Sequence, residues 1–142
     1  MATKISETTQ NFINGKFVSN GSARLDVISP IDGKIISTVP LSSTKELDEA
    51  VQAARKAFPE WSGKTLKERV QVFYKYRELL EKHMDELTEI CHTENGKTWG
   101  ESKAEVEKSI ELTEFACSMP QIIANEVQEV SRGVEVRIDR KP

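Results

Sequence analysis

The only candidate thiol nucleophiles of this 142-residue chain are two cysteines, and the sequence also contains two histidines that could serve as a base. Cys91 and His92 are neighbours in sequence, but consecutive residues of a helix do not face each other. Cys91 and Cys117 each fall on the apolar stripe of a predicted helix, where a thiol usually packs as a small buried side chain. We therefore expect core roles for both cysteines, and a solvated His83 at a helix start.

Acidic residues in the second half of the chain could supply paired carboxylates for general acid and base catalysis. These carboxylates are Glu86, Glu89, Glu94, Glu101, Glu105, Glu107, Glu111 and Glu114. Lysines lie three or four residues from several of them, at Lys82, Lys97, Lys103 and Lys108. This spacing favours solvated, salt-bridged helix faces. The sequence also has no GxGxxG, Walker P-loop, HExxH or GxSxG motif, so its residues by themselves predict a non-catalytic chain.

The composition excludes several classes of protein. A net charge of −3 gives no electrostatic footprint for nucleic acid or an anionic membrane. Residues 1–10 form a polar tail without the apolar run of a secretory signal, and no segment reaches the length of a membrane span. Two isolated cysteines indicate a reduced, cytoplasmic setting. Only 37% of the residues are hydrophobic, which suits a segment whose apolar faces other segments or subunits complete.

The first third of the chain predicts two β-hairpins. Asn14-Gly15 separates two short apolar runs, and both residues tolerate the positive φ angles of a tight type I′ turn. The second hairpin would pair residues 25–28 with 34–39 across Asp32-Gly33. Two hairpins are marginal alone and need something to pack on.

Four helices should follow, three of them opened by capping boxes. The boxes are Ser43-x-x-Glu46, Thr65-x-x-Glu68 and Thr98-x-x-Glu101. We expect Pro59 to stop the first helix and Trp61 to fold back on it. A third helix over 83–95 would end at a left-handed Gly96, and Pro120 would end or kink the fourth.

Each predicted helix has an apolar stripe at helical spacing. The stripes are Leu47, Val51, Ala54 and Phe58; Leu66, Val70, Phe73 and Leu80; Leu87, Ile90 and Cys91; and Val106, Ile110, Thr113 and Cys117. After them, residues 133–140 alternate apolar and charged side chains, the pattern of a strand with one wet face. A lone strand must pair with something to be stable.

In this order and at this spacing, the motifs resemble the amino-terminal part of the aldehyde dehydrogenase superfamily. The matching stretches are residues 12–17, 27–33, 50–61, 94–98 and Arg140-Lys141-Pro142. The resemblance implies an α/β fold made of two hairpins, about four helices and a terminal strand, without the Rossmann core and catalytic domain. It also implies that 11–126 belong to the cofactor-binding domain and 127–142 to a strand of the oligomerisation arm.

The resemblance further implies a function for the complete enzyme. Its relatives form a cysteine thioester, transfer a hydride to NAD, and release the acyl group to coenzyme A or to water. Residues 114–118, after Glu105-Val106, look most like the methylmalonate-semialdehyde branch, which uses coenzyme A. Residues 104–108 are also common in the succinate-semialdehyde branch. The rival hypothesis is a non-catalytic truncated homologue that associates with a full-length subunit.

Site residues are carried over by the same resemblance. The nucleophilic cysteine, the general-base glutamate and the NAD-binding segment match no residue here, so we expect the chain alone to bind no NAD and to turn over no aldehyde. Lys108 and Leu112 would lie near the substrate tunnel, although the branch commonly has arginine in place of Lys108. Ile28 and Glu94 match positions that hold a monovalent cation. The terminal strand would join subunits into a homodimer or homotetramer.

Overall fold

A computed structural model describes residues 8–19, 21, 23–123 and 125–140. Three antiparallel hairpins flank and follow a group of helices within these ranges. The strands are β1 (Asn11–Ile13), β2 (Lys16–Val18), β3 (Arg24–Ile28), β4 (Ile35–Pro40), β5 (Glu126–Ser131) and β6 (Val134–Ile138). The helices are α1 (Thr44–Gly63), α2 (Leu66–Lys82), α3 (Met84–Asn95), α4 (Trp99–Cys117) and the short α5 (Met119–Ile122).

The first hairpin forms as predicted. Asn14 has φ 51° and Gly15 has φ 76°, the two positive angles that a type I′ turn requires. The turn sets the register that places Phe12 opposite Phe17, with ring centroids 4.9 Å apart. Both rings remain largely exposed, so the pair stabilises the hairpin without joining a core.

The second hairpin also forms, and its turn docks on the helices. The backbone N–H of Gly33 donates to Ser29, and that of Ser29 donates to Lys34, which closes the turn. Ser29 is buried, and its hydroxyl donates to the carbonyl oxygen of Thr93 at 3.2 Å. The hairpin thus contacts the chain where α3 ends.

All three predicted capping boxes are present, at Ser43, Thr65 and Thr98. In each, the hydroxyl accepts from a backbone N–H of the first turn, and the glutamate three residues on accepts from the cap. Gly96 ends α3 at φ 74°, the predicted left-handed cap. Local sequence therefore fixes where these helices begin and where α3 ends.

The predicted end of α1 is wrong. The helix continues through Pro59 to Gly63, and Trp61 lies in its last turn instead of folding back. Proline removes one helical hydrogen bond, the one to the carbonyl oxygen of Arg55. Residues 54–61 are all exposed, so water can replace that bond and the helix continues.

The core lies where α2, α3 and α4 meet. Leu80 of α2 packs with Val106 and Ile110 of α4, and Met84 and Leu87 lean against them. The predicted stripe of α4 is confirmed, since all four of its members are buried: Val106, Ile110, Thr113 and Cys117. The α4 helix ends at Cys117, and Pro120 sits in the separate helix α5.

The carboxyl-terminal region differs from the prediction of a lone strand. β6 forms within the predicted 133–140 segment, but β5 pairs with it in an antiparallel hairpin, with Gln128 opposite Val136. The preceding segment is less regularly alternating, and this hid the first strand. The boundary between a cofactor-binding domain over 11–126 and an oligomerisation arm over 127–142 stays a prediction, and so does the role of that arm. Residues 1–7 of the predicted polar tail lie outside the described residues.

Candidate functional site

Cys91 sits in a polar cluster between α3 and α4. Its thiol donates to the Glu105 carboxylate, with Sγ and Oε2 3.4 Å apart, and the Lys97 ammonium pairs with the other oxygen of Glu105. The hydrogen bond from Lys97 lowers the pKa of Glu105 and raises that of Lys97. Cys91 is half-buried beside charges, so the expectation of an apolar core position for it is wrong. The apolar pattern of α3 could not reveal this contact, because Glu105, the partner of Cys91, lies on α4.

Cys117 does occupy the core, as predicted. It is an unpaired thiol on the buried face of α4, and its carbonyl oxygen accepts from the hydroxyl of Tyr74. In this position the side chain contributes packing, and no histidine is hydrogen-bonded to it.

The two histidines have structural partners. His92 Nδ1 bonds the carbonyl oxygen of Lys97, and because a carbonyl only accepts, Nδ1 must carry the proton. This bond ties the end of α3 to the Gly96 turn. His83 is exposed, as expected, and its Nδ1 lies 2.8 Å from Glu86. Neither ring activates a thiol in this arrangement.

Two of the four lysines predicted from spacing pair with glutamates three or four residues away on α4, whereas Lys97 pairs with a glutamate eight residues away. Lys103 lies 3.8 Å from Glu107 and Lys108 lies 2.8 Å from Glu111. Two further links cross between elements, Lys97 to Glu105 and Arg77 to Glu114, the latter at 2.6 Å. Spacing rules within one helix could not find these pairs, because the partners are eight and 37 residues apart.

Lys108 and Leu112 lie one turn apart on the outer face of α4. Both are exposed, and Leu112 is 61% exposed. The Lys108 ammonium bonds both oxygens of Glu111 at 2.8 Å. Nothing described in this chain encloses the two side chains, so their substrate role stays a prediction.

Ile28 and Glu94 are brought towards each other by the docked hairpin. Ile28 directly precedes Ser29 and Glu94 directly follows Thr93, and the Ser29 hydroxyl donates to the Thr93 carbonyl oxygen. In the described residues no cluster of three or more histidine, cysteine or acidic side chains could hold a metal ion, so the cation role of Ile28 and Glu94 stays a prediction.

The chain belongs to the aldehyde dehydrogenase family, whose model matches residues 17–142. It is 35% identical over 138 residues to malonate-semialdehyde dehydrogenase 2 of Geobacillus kaustophilus. That match covers 96% of this chain and 28% of the Geobacillus protein. The corresponding enzyme of Pseudomonas aeruginosa is 36% identical over 132 residues, covering 93% and 26%. The chain thus spans little more than a quarter of the length of these relatives.

Solved structures agree on the fold. Methylmalonate-semialdehyde dehydrogenase from Oceanimonas doudoroffii matches with a TM-score of 0.85 and 32% identity, over 92% of this chain and 27% of that one. A Sinorhizobium meliloti protein described as the same enzyme, complexed with NAD, matches with a TM-score of 0.83, 31% identity and the same coverage. The predicted α/β fold, part of the aldehyde dehydrogenase fold, is confirmed. Within the described ranges, no helix is long and apolar enough to cross a membrane.

Proposed function

We propose that this chain is part of an NAD-dependent aldehyde dehydrogenase that oxidises a small carboxylated semialdehyde of the malonate or methylmalonate type. The observation that carries the proposal is the match of nearly the whole chain to proteins named malonate-semialdehyde dehydrogenases. NAD, when bound, would accept the hydride of the aldehyde. A complex of one structural neighbour with NAD supports this choice of cofactor.

The proposed contribution of this chain is recognition of the substrate carboxylate by Lys108. The ammonium bonds both carboxylate oxygens of Glu111 on an exposed helix face, and this contact with an anion supports the proposal. Lysine acts as a point charge and not as a bidentate fork, so it would tolerate more than one carboxylate orientation. Leu112, one turn further along, would contact the carbon chain of the substrate.

Kinetics of a complete subunit test the role of Lys108. Such a subunit can be built by replacing the matching stretch of the Geobacillus kaustophilus enzyme with this chain. Lys108→Ala should raise KM for malonate semialdehyde by up to about fivefold, the loss expected of one exposed charge contact. KM for an uncharged aldehyde of the same length should not change. An unaltered KM for the semialdehyde would remove Lys108 from the site.

We further propose that the thioester is cleaved by coenzyme A and that these 142 residues are inactive alone. The complete subunit should form acyl-coenzyme A and NADH together, whereas the succinate-semialdehyde alternative would release a free acid without coenzyme A. The 142-residue chain should form no NADH with NAD and semialdehyde, with or without coenzyme A. NADH from the short chain would contradict its proposed inactivity.

The terminal hairpin is proposed as a subunit contact of a homodimer or homotetramer. Val134, Val136 and Ile138 lie on one face of β6, and each is about half exposed. An apolar row on an unpaired strand edge can pair with another strand. Val136→Lys in the complete subunit should shift its mass in light scattering towards the monomer; an unchanged mass would exclude this contact.

Two unpaired thiols support a cytoplasmic location.

A specific observation keeps the rival function open to test. The chain exposes large apolar side chains on both its first helix and its terminal hairpin, which favours association with another polypeptide. If the chain is a non-catalytic homologue that binds a full-length subunit, it should co-purify with that subunit at a fixed ratio. A chain that remains separate from the subunit would exclude this alternative.

A further inference from the structure

Four lysine and arginine side chains of the described chain are partly shielded from solvent: Lys64, Arg69, Arg77 and Lys97. Three of them have carboxylate partners. Lys64 lies 3.1 Å from Glu60, Arg77 binds both Glu81 and Glu114, and Lys97 binds Glu105. Arg69 differs, because its Nε is buried and has no hydrogen-bond partner in the described residues.

The sequence around Arg69 explains why α2 itself provides no partner. Helical neighbours three and four residues away are the positions from which a carboxylate could reach it. Those positions hold Thr65, Leu66, Val72 and Phe73. Glu68 is adjacent in sequence, but its carboxylate accepts from the backbone N–H and the hydroxyl of Thr65, both at 2.8 Å. The nearest acid is therefore committed to the helix cap.

An arginine in this state is costly to retain. Burying a donor without a partner loses the hydrogen bonds that water provided, and the loss is greater for a charged group. Arg77, eight residues along the same helix, shows the satisfied arrangement, since its guanidinium bonds Glu81 at 2.7 and 2.8 Å and Glu114 at 2.8 Å. The Nε of Arg69 is enclosed by this chain itself, so a carboxylate from outside the described chain would approach the accessible part of the half-buried guanidinium and supply the missing counter-charge there.

The surroundings of Arg69 indicate contact with protein. Val72, Phe73 and Tyr76 are large apolar side chains on the following turns of α2, and all are exposed here. The match covers only 28% of one homologous enzyme, so the rest of such a subunit is ample to cover that surface. A protein carboxylate meets both requirements, because it neutralises the guanidinium while its neighbours cover the apolar side chains.

We propose that Arg69 is an anchoring residue that binds an aspartate or glutamate in the part of the aldehyde dehydrogenase subunit outside these 142 residues. The ion pair fastens the amino-terminal end of α2 to the rest of the subunit. The inference goes beyond the proposed activity, since it concerns assembly of the subunit and is independent of which aldehyde is oxidised.

The test uses the complete subunit described above, in which this chain replaces the matching stretch of the Geobacillus kaustophilus enzyme. Its crystal structure should place an aspartate or glutamate oxygen within hydrogen-bond distance of the Arg69 guanidinium. Water, a free anion or a backbone carbonyl alone at that guanidinium would overturn the proposal. This measurement needs no variant and does not depend on catalysis.

Variants then test whether the pair acts as an ion pair. Arg69→Met, which keeps the length of the stem, should lower the unfolding midpoint by several degrees, whereas Lys67→Met, an exposed cation on the same helix, should change it little. Arg69→Lys should recover part of the loss because it restores the charge without the planar fork. Equal effects of Arg69→Met and Lys67→Met would overturn the proposal.

The pH profile separates an ion pair from simple packing. A carboxylate paired with Arg69 has a lowered pKa in the folded state, so its stabilisation is present above its unfolded pKa and is lost as pH falls through the folded value. The difference in midpoint between the parent subunit and Arg69→Met should therefore shrink on acidification. A difference that is constant from neutral to acidic pH would contradict an ion pair.

Discussion

Helices α1 and α4 have nearly the same length, 20 and 19 residues, and each begins with a capping box. They differ in what covers their apolar stripes. Five residues of α4 are buried against α2 and α3, whereas none of α1 is buried within the described chain. Leu47 of α1 is 64% exposed and Phe58 is 54% exposed.

The comparison shows that forming a helix and burying it depend on different parts of the sequence. Capping residues and helical spacing lie within each segment, so both helices form. Burial needs a partner surface, and only α4 has one among the described residues. A solvated helix gains little stability from its own propensities, so α1 should depend on contacts beyond this chain.

The largest expected effect separates the two apolar stripes. Ile110→Ala should destabilise the chain by about 2–4 kcal/mol, because it removes buried methyl groups and leaves a cavity. The matched change Phe58→Ala on α1 should cost less than about 0.5 kcal/mol, because that ring is already solvated. Urea denaturation of the 142-residue chain measures both. A large loss for Phe58→Ala would show that α1 is covered after all.

The capping residues of α1 and α4 should contribute equally to the stability of their own helices, although the apolar stripes of the two helices differ in burial. Thr98→Ala and Ser43→Ala should each cost about 1 kcal/mol of helix stability, since each leaves a first-turn N–H without its acceptor. Circular dichroism with denaturation gives both values, and Thr44→Ala next to the cap is the control. Global loss should follow Thr98→Ala, while Ser43→Ala should reduce helicity locally. Identical global losses would mean that α1 and α4 unfold as one unit.

A smaller effect tests whether the polar groups on the buried face of α4 are all hydrogen-bonded. Ser102 is fully buried on α4, and its hydroxyl has no partner among the described residues. Ser102→Ala should stabilise the chain by up to about 1 kcal/mol, because the cost of burying an unpaired hydroxyl disappears. Ser109→Ala is the control, since that hydroxyl bonds the Glu105 carbonyl oxygen at the exposed surface. Destabilisation by Ser102→Ala would imply a bound water or partner at the hydroxyl.

The smallest expected effect is a pH dependence confined to the start of α4. Hydrogen bonding to Lys97 holds the pKa of Glu105 below its usual range. Its stabilisation is therefore present above the unfolded pKa and is lost as pH falls through the folded value. Glu105→Gln should flatten the acid side of the stability profile, whereas Glu107→Gln should not. Thermal melts from neutral to acidic pH measure this, and parallel profiles would contradict it.

Features set by neighbouring residues could be predicted from the sequence. The Asn14-Gly15 turn, the Thr98 cap and the left-handed Gly96 each follow from side chains within a few positions. The stripe of α4 was predictable because all of its members fall on one helix face. Pro59 misled the prediction because a proline costs the most where a helix is packed, and α1 is solvated at that point.

Features set by distant residues could not be predicted in this way. Cys91 follows an apolar pattern, but Glu105 and Lys97 approach it across the junction of α3 and α4. Arg69 shows the same limitation, because its isolation becomes visible only when every other shielded cation has a partner. The roles of Lys108, Leu112, Ile28 and Glu94 came from family resemblance, since exposed side chains carry no local signal of a ligand.

The docked turn of the second hairpin has a consequence for the order of folding. The bond from Ser29 to Thr93 joins residues 64 positions apart, and a Cβ on Gly96 would lie 2.7 Å from the ring of Pro30. Contacts of such long sequence separation close large loops and tend to form after local helices. Gly96→Ala should therefore accelerate unfolding more than it slows refolding in stopped-flow measurements. In that case the second hairpin docks late in folding, after α3 and α4 have already packed together.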